Sequence, residues 1–337
     1  MKILITGGYG FIGSNLIKKL LSDNIHSIYN IDKLGYASNQ SCVKQAINEN
    51  NKDKYNFFKI NLIDYEKLID VFDLIKPDLI MHLAAESHVD RSISSSREFI
   101  ESNIIGTYNL LEVSRKYYDS LTNPKKSIFR FHHISTDEVF GTLGSSGTFS
   151  EKTAYDPRSP YSASKASSDH LVRSWHHTYN LPVIITNCSN NFGPWQFPEK
   201  LIPQTILKGY NLQEIPIYGD GSNIRDWLYV EDHVEALILS ATKGNIGESY
   251  CIGGFGERTN LEVAENICNI LDDLSPAKFK HSELISFVKD RPGHDMRYAI
   301  DSSKIQKELN WKPKYSFDKS LKKTIKWYID NKFIFDN

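Results

Sequence analysis

Tyr161 and Lys165 stand four residues apart in Pro160-Tyr161-Ser162-Ala163-Ser164-Lys165, at what reads as a helix start. On a helix that spacing puts both side chains on one face. An ammonium beside a phenol favours the phenolate, so the pair predicts a Tyr161 pKa drawn from about 10 toward working pH. A phenol tuned in this way can take a proton from a hydroxyl. Upstream, Ile134-Ser135-Thr136-Asp137-Glu138-Val139-Phe140-Gly141 follows a buried-strand pattern over residues 128–134. Thr136, Asp137 and Glu138 then fall at a strand's carboxyl end, where open α/β sheets bind ligands. A hydroxyl, an acid and a base at one point suit proton transfer at two neighbouring carbons. Each piece alone has a plainer reading, a packed ring beside a solvated amine or a helix cap. Their joint occurrence behind a dinucleotide fingerprint favours catalysis.

That fingerprint opens the chain. Residues 2–6 form a short apolar strand, Gly7-Gly8-Tyr9-Gly10-Phe11-Ile12-Gly13 follows, and Leu16, Ile17, Leu20 and Leu21 mark a helix. Gly7, Gly10 and Gly13 permit a tight turn and close backbone approach to a pyrophosphate, which the helix amides then hold. Strand before and amphipathic helix after is the context such a motif requires. A second strand at 27–31 ends in Asp32, about twenty residues on, where a carboxylate grips the adenosine ribose. It repels a 2′-phosphate and so favours NAD over NADP, whereas Lys33 beside it could welcome that phosphate.

The elements that position these residues alternate. Strands are predicted at 55–60, 78–82 and 182–187, and helices at 65–75, about 95–118, and 161–179. Residues 39–54 are polar, and 141–158 read as a loop over the site. After Ser189-Asn190-Asn191-Phe192-Gly193-Pro194 the alternation is less regular, with helices at 230–241, 260–271, about 302–309 and 316–330, and a strand at 248–252. The pattern predicts an α/β fold, a doubly wound parallel Rossmann-like sheet with a smaller interleaved substrate domain. Residues 1–188 plus about 227–253 would bind NAD, and about 189–226 plus 254–337 the substrate.

The chain has 337 residues, 40% hydrophobic and 24% charged, enough for a full core. A net charge of −1 gives no general attraction for nucleic acid or an anionic membrane. Cys42, Cys188, Cys251 and Cys268 form no C-x-x-C, so neither a metal site nor a disulfide framework is indicated. A strand beginning at Lys2 leaves no room for a signal peptide, and no apolar run approaches membrane-spanning length. The expectation is a soluble cytoplasmic protein. His132-His133 and His176-His177 are adjacent pairs whose rings should point apart, as packed or surface groups. Lys200, Arg225, Arg291 and His294 stand out as cations, and arginines can clamp a diphosphate bidentately; singly, each is also compatible with a plain surface charge.

Taken together, the fingerprint, His82-Leu83-Ala84-Ala85-Glu86-Ser87-His88-Val89-Asp90-Arg91-Ser92, Ser135 to Gly141, Tyr161 with Lys165, Asn187-Cys188-Ser189-Asn190-Asn191, Pro198-Glu199-Lys200-Leu201-Ile202-Pro203, Arg225-Asp226-Trp227 and Asp290-Arg291-Pro292-Gly293-His294-Asp295 resemble the extended short-chain dehydrogenase/reductase family, over nearly the whole chain. Within it the likeness is to nucleotide-sugar dehydratases. The resemblance implies NAD on Gly7, Gly10, Phe11, Ile12 and Gly13, with Asp32, Lys33, Leu34 and Gly35 at the ribose and Asn61 and Leu62 at adenine. It implies Leu83, Ala84, Ala85, Glu86, Ser87, Ser102, Tyr161, Lys165 and Asn191 along the rest of the cofactor. The substrate it implies is dTDP-glucose, held by Ser87, Thr136, Asn190, Lys200, Leu201, Pro216, Ile217, Tyr218, Arg225, Asn260, Asp290, Arg291, Pro292, Gly293 and His294. The implied chemistry is C4 oxidation with Tyr161 as base, Lys165 tuning it and Thr136 on the 4-oxygen. Glu138 then removes the C5 proton, Asp137 protonates the departing 6-hydroxyl, and hydride returns to C6. A homodimer joined near 95–118 and 161–179 is implied as well.

Some positions depart from the family. Asn61 stands where aspartate is usual, Gly35 where threonine is, and Phe192 and Trp195 where tyrosines near the substrate are. A 4-epimerase, or a dehydratase of another nucleotide sugar, remains open. An epimerase needs only the tyrosine–lysine couple, so Asp137 and Glu138 argue for elimination. A non-catalytic NAD-binding regulator is the alternative of another class. Thymine and uracil are not distinguished.

Overall fold

The structure is a computed structural model and describes residues 1–334. Its centre is a seven-stranded sheet of β1 (Lys2–Thr6), β2 (Ser27–Asp32), β3 (Tyr55–Lys59), β4 (Leu79–His82), β5 (Arg130–Thr136), β6 (Val183–Cys188) and β7 (Ser249–Ile252). The order is β7-β6-β5-β4-β1-β2-β3, every pair parallel. Both faces are covered, which is why β1, β4 and β6 carry the consecutive apolar residues Ile3-Leu4-Ile5, Leu79-Ile80-Met81 and Val183-Ile184-Ile185. The strand order reverses between β1 and β4, and the crevice outside their carboxyl ends is the place for a ligand.

One face carries α1 (Phe11–Asp23) and the helix Val230–Lys243, whose Leu16, Ile17, Leu20, Val234 and Leu237 are buried in one cluster. The other face carries Tyr65–Ile75, Gly106–Ser120 and α2 (Pro160–Tyr179), with Leu68, Phe72, Leu110, Leu111 and Val172 in a second cluster. α2 starts at a capping box: the Ser162 amide donates to Ser159 Oγ and the Ser159 amide to Ser162 Oγ, both at 3.0 Å. Pro160 at the first helical position needs no amide partner. Tyr161 is thereby fixed in the first turn.

The stretch expected as one helix at 95–118 is divided. Short helices Val89–Ser94 and Ser96–Phe99 lead into a π-helical turn, Ile100–Ile105, before the regular helix. The wide turn buries Asn103, 1% exposed. Its amide accepts from Glu86 N at 2.8 Å and donates to Glu86 O at 3.0 Å and Ser164 Oγ at 2.8 Å. Apolar periodicity carries no mark of the extra residue, whereas π turns recur at functional sites.

Beyond β6 three two-stranded pairs form: Asn190–Phe192 with Trp227–Tyr229, Ile224–Arg225 with Arg258–Thr259, and Ile215–Tyr218 with Ile285–Val288. Phe192, Ile206, Trp227, Ile267, Leu321 and Tyr328 make a separate core there. Ile305, Leu309 and Trp311 instead join the cluster of α1 beneath the sheet, unlike most of 254–337. No helix among the described residues is long and apolar enough to cross a membrane.

His132 and His133 point to opposite faces of β5, to Thr186 Oγ1 at 3.0 Å and Asp169 Oδ1 at 3.0 Å. The rings of His176 and His177 do not part in this way; their centroids lie 5.3 Å apart, since helical neighbours diverge less than strand neighbours. Asp169 is fully buried and also accepts from Tyr155 Oη at 2.8 Å and Asn187 Nδ2 at 3.2 Å. Burial alone would raise its pKa, but His133, then Lys165 and Ser135, hold it below the usual carboxylate range. Asp169→Ala leaves His133, Tyr155 and Asn187 without this acceptor and is expected to cost roughly 3 kcal/mol of stability in urea unfolding, with Asp169→Asn costing less.

Candidate active site

The cleft begins at the turn after β1. Gly7 has φ +73°, and a Cβ there would sit 2.7 Å from Ala84 Cα. A Cβ on Gly13 would meet Gly7 O at 2.3 Å. Only glycine lets the helix start, the turn and the loop after β4 close together. Gly10 caps α1 with no side-chain bond and no acidic residue follows in the first turn, so the free amides face the cleft without competition from a carboxylate. Asp32 carboxylate oxygens accept from Tyr9 N at 3.0 Å, Leu34 N at 2.8 Å and Ser38 Oγ at 3.1 Å. Lys33 does not stand free: its amine lies 2.6 Å from Glu86 Oε1.

The cleft encloses about 320 Å³ and is lined by nineteen of the twenty residues expected at the cofactor, Leu34 being the exception. At φ +61° Leu34 turns its side chain into the core of α1, and only its backbone serves the site, by holding Asp32. Asn61 and Gly35 line the wall despite departing from the usual residue types. The glycine cradle, the free helix amides and the ribose-side carboxylate fit a dinucleotide.

All five proposed catalytic residues line the same cleft. A 3₁₀ turn, Asp137–Phe140, follows β5 directly, and Thr136 Oγ1 accepts from Glu138 N and donates to Asp137 Oδ1, both at 3.3 Å. Asp137 is 1% exposed, and its Oδ2 has no partner among the described residues. Burial, then Glu138 and Asp226, push its pKa well up, making it a neutral acid. Burial raises Glu138 as well, but Arg291, Lys200 and Arg225 oppose the rise. Two adjacent carboxyls thus differ in surroundings as an acid and a base should.

Tyr161 departs from expectation. Burial, then Glu138 and Cys188, hold its pKa well above 10, which Thr136 opposes only in part. The Lys165 ammonium donates to Ile134 O at 2.9 Å, and burial lowers its own pKa. Sharing a helix face did not direct the amine to the phenol, because a strand-end carbonyl competes for it.

The expected substrate residues divide. Ser87, Thr136, Asn190 and Lys200 line the cleft; the other eleven do not. Tyr218 Oη donates to Asp90 Oδ2 at 3.2 Å, Arg291 lies 3.5 Å from Asp90 Oδ1, and His294 Nδ1 is 2.7 Å from Asp290 Oδ1. Pro292 and Gly293 belong to that same turn. Arg225, 4% exposed, donates to the carbonyls of Ile224, Asp295 and Met296, so its fork is engaged by backbone. Ile217 is in a core with Ile215, Ala264 and Cys268, which Leu201 also packs against. Pro216 lies in its strand, and Asn260 opens a helix with its amide on Asn223 O. Phe192 and Trp195 are buried, against Trp227 and Tyr229 and against Trp327, and do not line the cleft. Tyr36, Ser38, Gln196, Phe197 and Glu199 also line the cleft. Sequence reading missed them; Tyr36 lies just past the ribose carboxylate and Glu199 beside Lys200, which was the available signal. Cys188 lines it too, with burial pushing its thiol up to about 12, an inert group. No cluster of metal ligands occurs among the described residues.

A family model described as GDP-mannose 4,6 dehydratase matches residues 4–324. A dTDP-glucose 4,6-dehydratase of Haemophilus influenzae is 54% identical over 336 residues, 98% of each chain. A crystal structure of a dTDP-glucose 4,6-dehydratase from Bacillus anthracis in complex with NAD is 41% identical with a TM-score of 0.87, covering 99% of this chain and 98% of that one. The enzyme of that name from Streptomyces venezuelae, also crystallised with NAD, is 38% identical with a TM-score of 0.88 and the same coverage.

The Lys200 ammonium is one of the cations that oppose the burial-driven rise of Glu138. Lys200→Met should therefore raise the Glu138 pKa, visible as an upward move in the ¹³C titration of its carboxyl. An unmoved or falling midpoint would remove Lys200 from the field of that group.

Proposed function

The chain belongs to the dTDP-glucose 4,6-dehydratase family, and on that premise we propose that it is a hydro-lyase converting dTDP-glucose to dTDP-4-keto-6-deoxyglucose with NAD as its resident cofactor. The observation that carries the reading is the neutral Asp137 beside Glu138 at the end of β5, within one cleft with Tyr161. An epimerase has no use for that pair.

Gly7, Gly13, the amides of α1 and Asp32 would hold the cofactor. When bound, NAD supplies the oxidation at C4 and the matching reduction at C6, so no net redox occurs and it stays through the turnover. Tyr161 takes the 4-hydroxyl proton. Thr136, which lines the same cleft as Tyr161, steadies the 4-oxygen. Lys165, one helical turn on, stabilises the phenolate once its amine turns from Ile134 O. A ketone at C4 acidifies the C5 proton, and Glu138 removes it while Asp137 gives its proton to the 6-hydroxyl, which leaves as water. Glu138 returns a proton to C5 at the end.

The Asp290 to His294 turn, Tyr218 and Arg225 form the nucleotide side in this reading. The division of the chain into 1–188 plus about 227–253 for NAD and about 189–226 plus 254–337 for the nucleotide sugar belongs to it too. So does a homodimer, supported by exposed Ile100, Ile105, Tyr108 and Tyr179 on neighbouring helical segments. Four buried free thiols and a nucleotide-sugar substrate suit the cytoplasm.

Incubating purified protein with dTDP-glucose, without added NAD, should give a product lighter by one water in mass spectrometry. An epimer of unchanged mass would overturn the reading. Glu138→Gln should lower elimination by about 10²–10⁴-fold while oxidation at C4 survives as reduced-nicotinamide absorbance; undiminished turnover would sink the role given to Glu138.

A further inference from the structure

Two opposite charges meet across the cleft mouth. Lys33 follows Asp32, the last residue of β2, and Glu86 lies in the loop after β4; β1 runs between those strands. The 2.6 Å pair therefore spans the carboxyl end of β1, where the glycine turn opens, and both residues line the cleft with Asp32. Glu86 is delivered from a fixed point, since Asn103 bonds its backbone amide and carbonyl. The Glu86 side chain is 10% exposed and that of Lys33 35%. Asp32 takes its donors from Tyr9, Leu34 and Ser38, which leaves Glu86 as the carboxylate on the Lys33 amine.

A lysine beside the ribose carboxylate would ordinarily offer a cation to a ribose 2′-phosphate. Here that end of the cleft carries two carboxylates, Asp32 and Glu86, against one ammonium, paired with Glu86, and so repels further negative charge. Resting on the cofactor reading above, we infer that Glu86 is a specificity-determining residue: by pairing with Lys33 it withholds the one cation that could receive the 2′-phosphate of NADP. The preference for NAD is then set by a residue from the far side of β1 and not by Asp32 alone.

The test is competition between NAD and NADP on the full-length protein, with bound nucleotide identified by mass spectrometry. Glu86→Gln frees Lys33 and should raise the ratio of NADP to NAD affinity about tenfold, with Asp32 still opposing the phosphate. Glu86→Gln with Lys33→Met should restore the wild-type ratio, and Lys33→Met alone should lower it. A merely structural role for Glu86 would weaken both nucleotides together and leave the ratio unmoved, which would overturn the inference. So would a gain for NADP that survives in the double variant. Wild-type protein that holds neither nucleotide would overturn the cofactor reading itself, and the inference with it.

Discussion

Burying ionisable groups side by side at the end of β5 is the constraint on which the rest depends. Asp137, Tyr161 and Lys165 are each under 10% exposed. Desolvation disfavours the charged form of every one. Left alone, such a site would be a set of neutral, inert groups. The neighbours break that symmetry. Asp137 has Glu138 and Asp226 against it and stays protonated. Glu138, one residue on, is raised by burial too, but there Arg291, Lys200 and Arg225 oppose the rise. A peptide bond separates two carboxyls in different surroundings, because a 3₁₀ turn sends consecutive side chains in different directions.

The fold supplies these neighbours from distant stretches. β5 ends between β4 and β6, so loops after all three meet at Thr136. Asn103, in the π turn, ties the loop after β4 to Ser164 on α2, and Ser164 Oγ bonds Tyr161 O at 2.7 Å. Below it, His82 lies between Thr6 Oγ1 at 2.7 Å and Thr107 Oγ1 at 2.9 Å. Thr6 Oγ1 in turn accepts from Ala84 N at 3.3 Å, beside the Gly7 turn. The cradle for a dinucleotide and the helix bearing Tyr161 are thus joined through buried hydrogen bonds, which have few alternative arrangements.

Much of this was legible because some physics is local. Apolar runs gave the strands, and the glycines at 7, 10 and 13 named the turn, since only a missing Cβ allows 2.7 Å approaches. The cleft walls followed from the sheet order that alternation implies. What was not legible depends on competition between partners far apart in sequence. Lys165 chose a carbonyl of β5 over the phenol on its own face. Arg225 spent its fork on carbonyls of 224, 295 and 296. Lys33 looked like a free cation because Glu86 lies 53 positions on and reaches it only across β1. Phe192 and Trp195 occupy core, where losing a hydroxyl removes a polar group that would need a partner.

The loop after β4 shows why cofactor and substrate sides cannot be treated as independent. Its Glu86 faces Lys33 beside Asp32, while Asp90, in the helix that follows, receives Tyr218 and Arg291 from the opposite side. Between them, the Ser87 carbonyl accepts from Lys200 at 3.1 Å and His88 lies 3.6 Å from Glu199. Glu199 also accepts from Tyr36 Oη at 2.9 Å, just past the ribose carboxylate. Residues from both halves therefore grip one short segment whose backbone Asn103 already fixes. Moving either side requires breaking charge-assisted contacts to a wall they share, so the positions of Arg291 and Lys200 are set in part by the Asp32 end of the cleft.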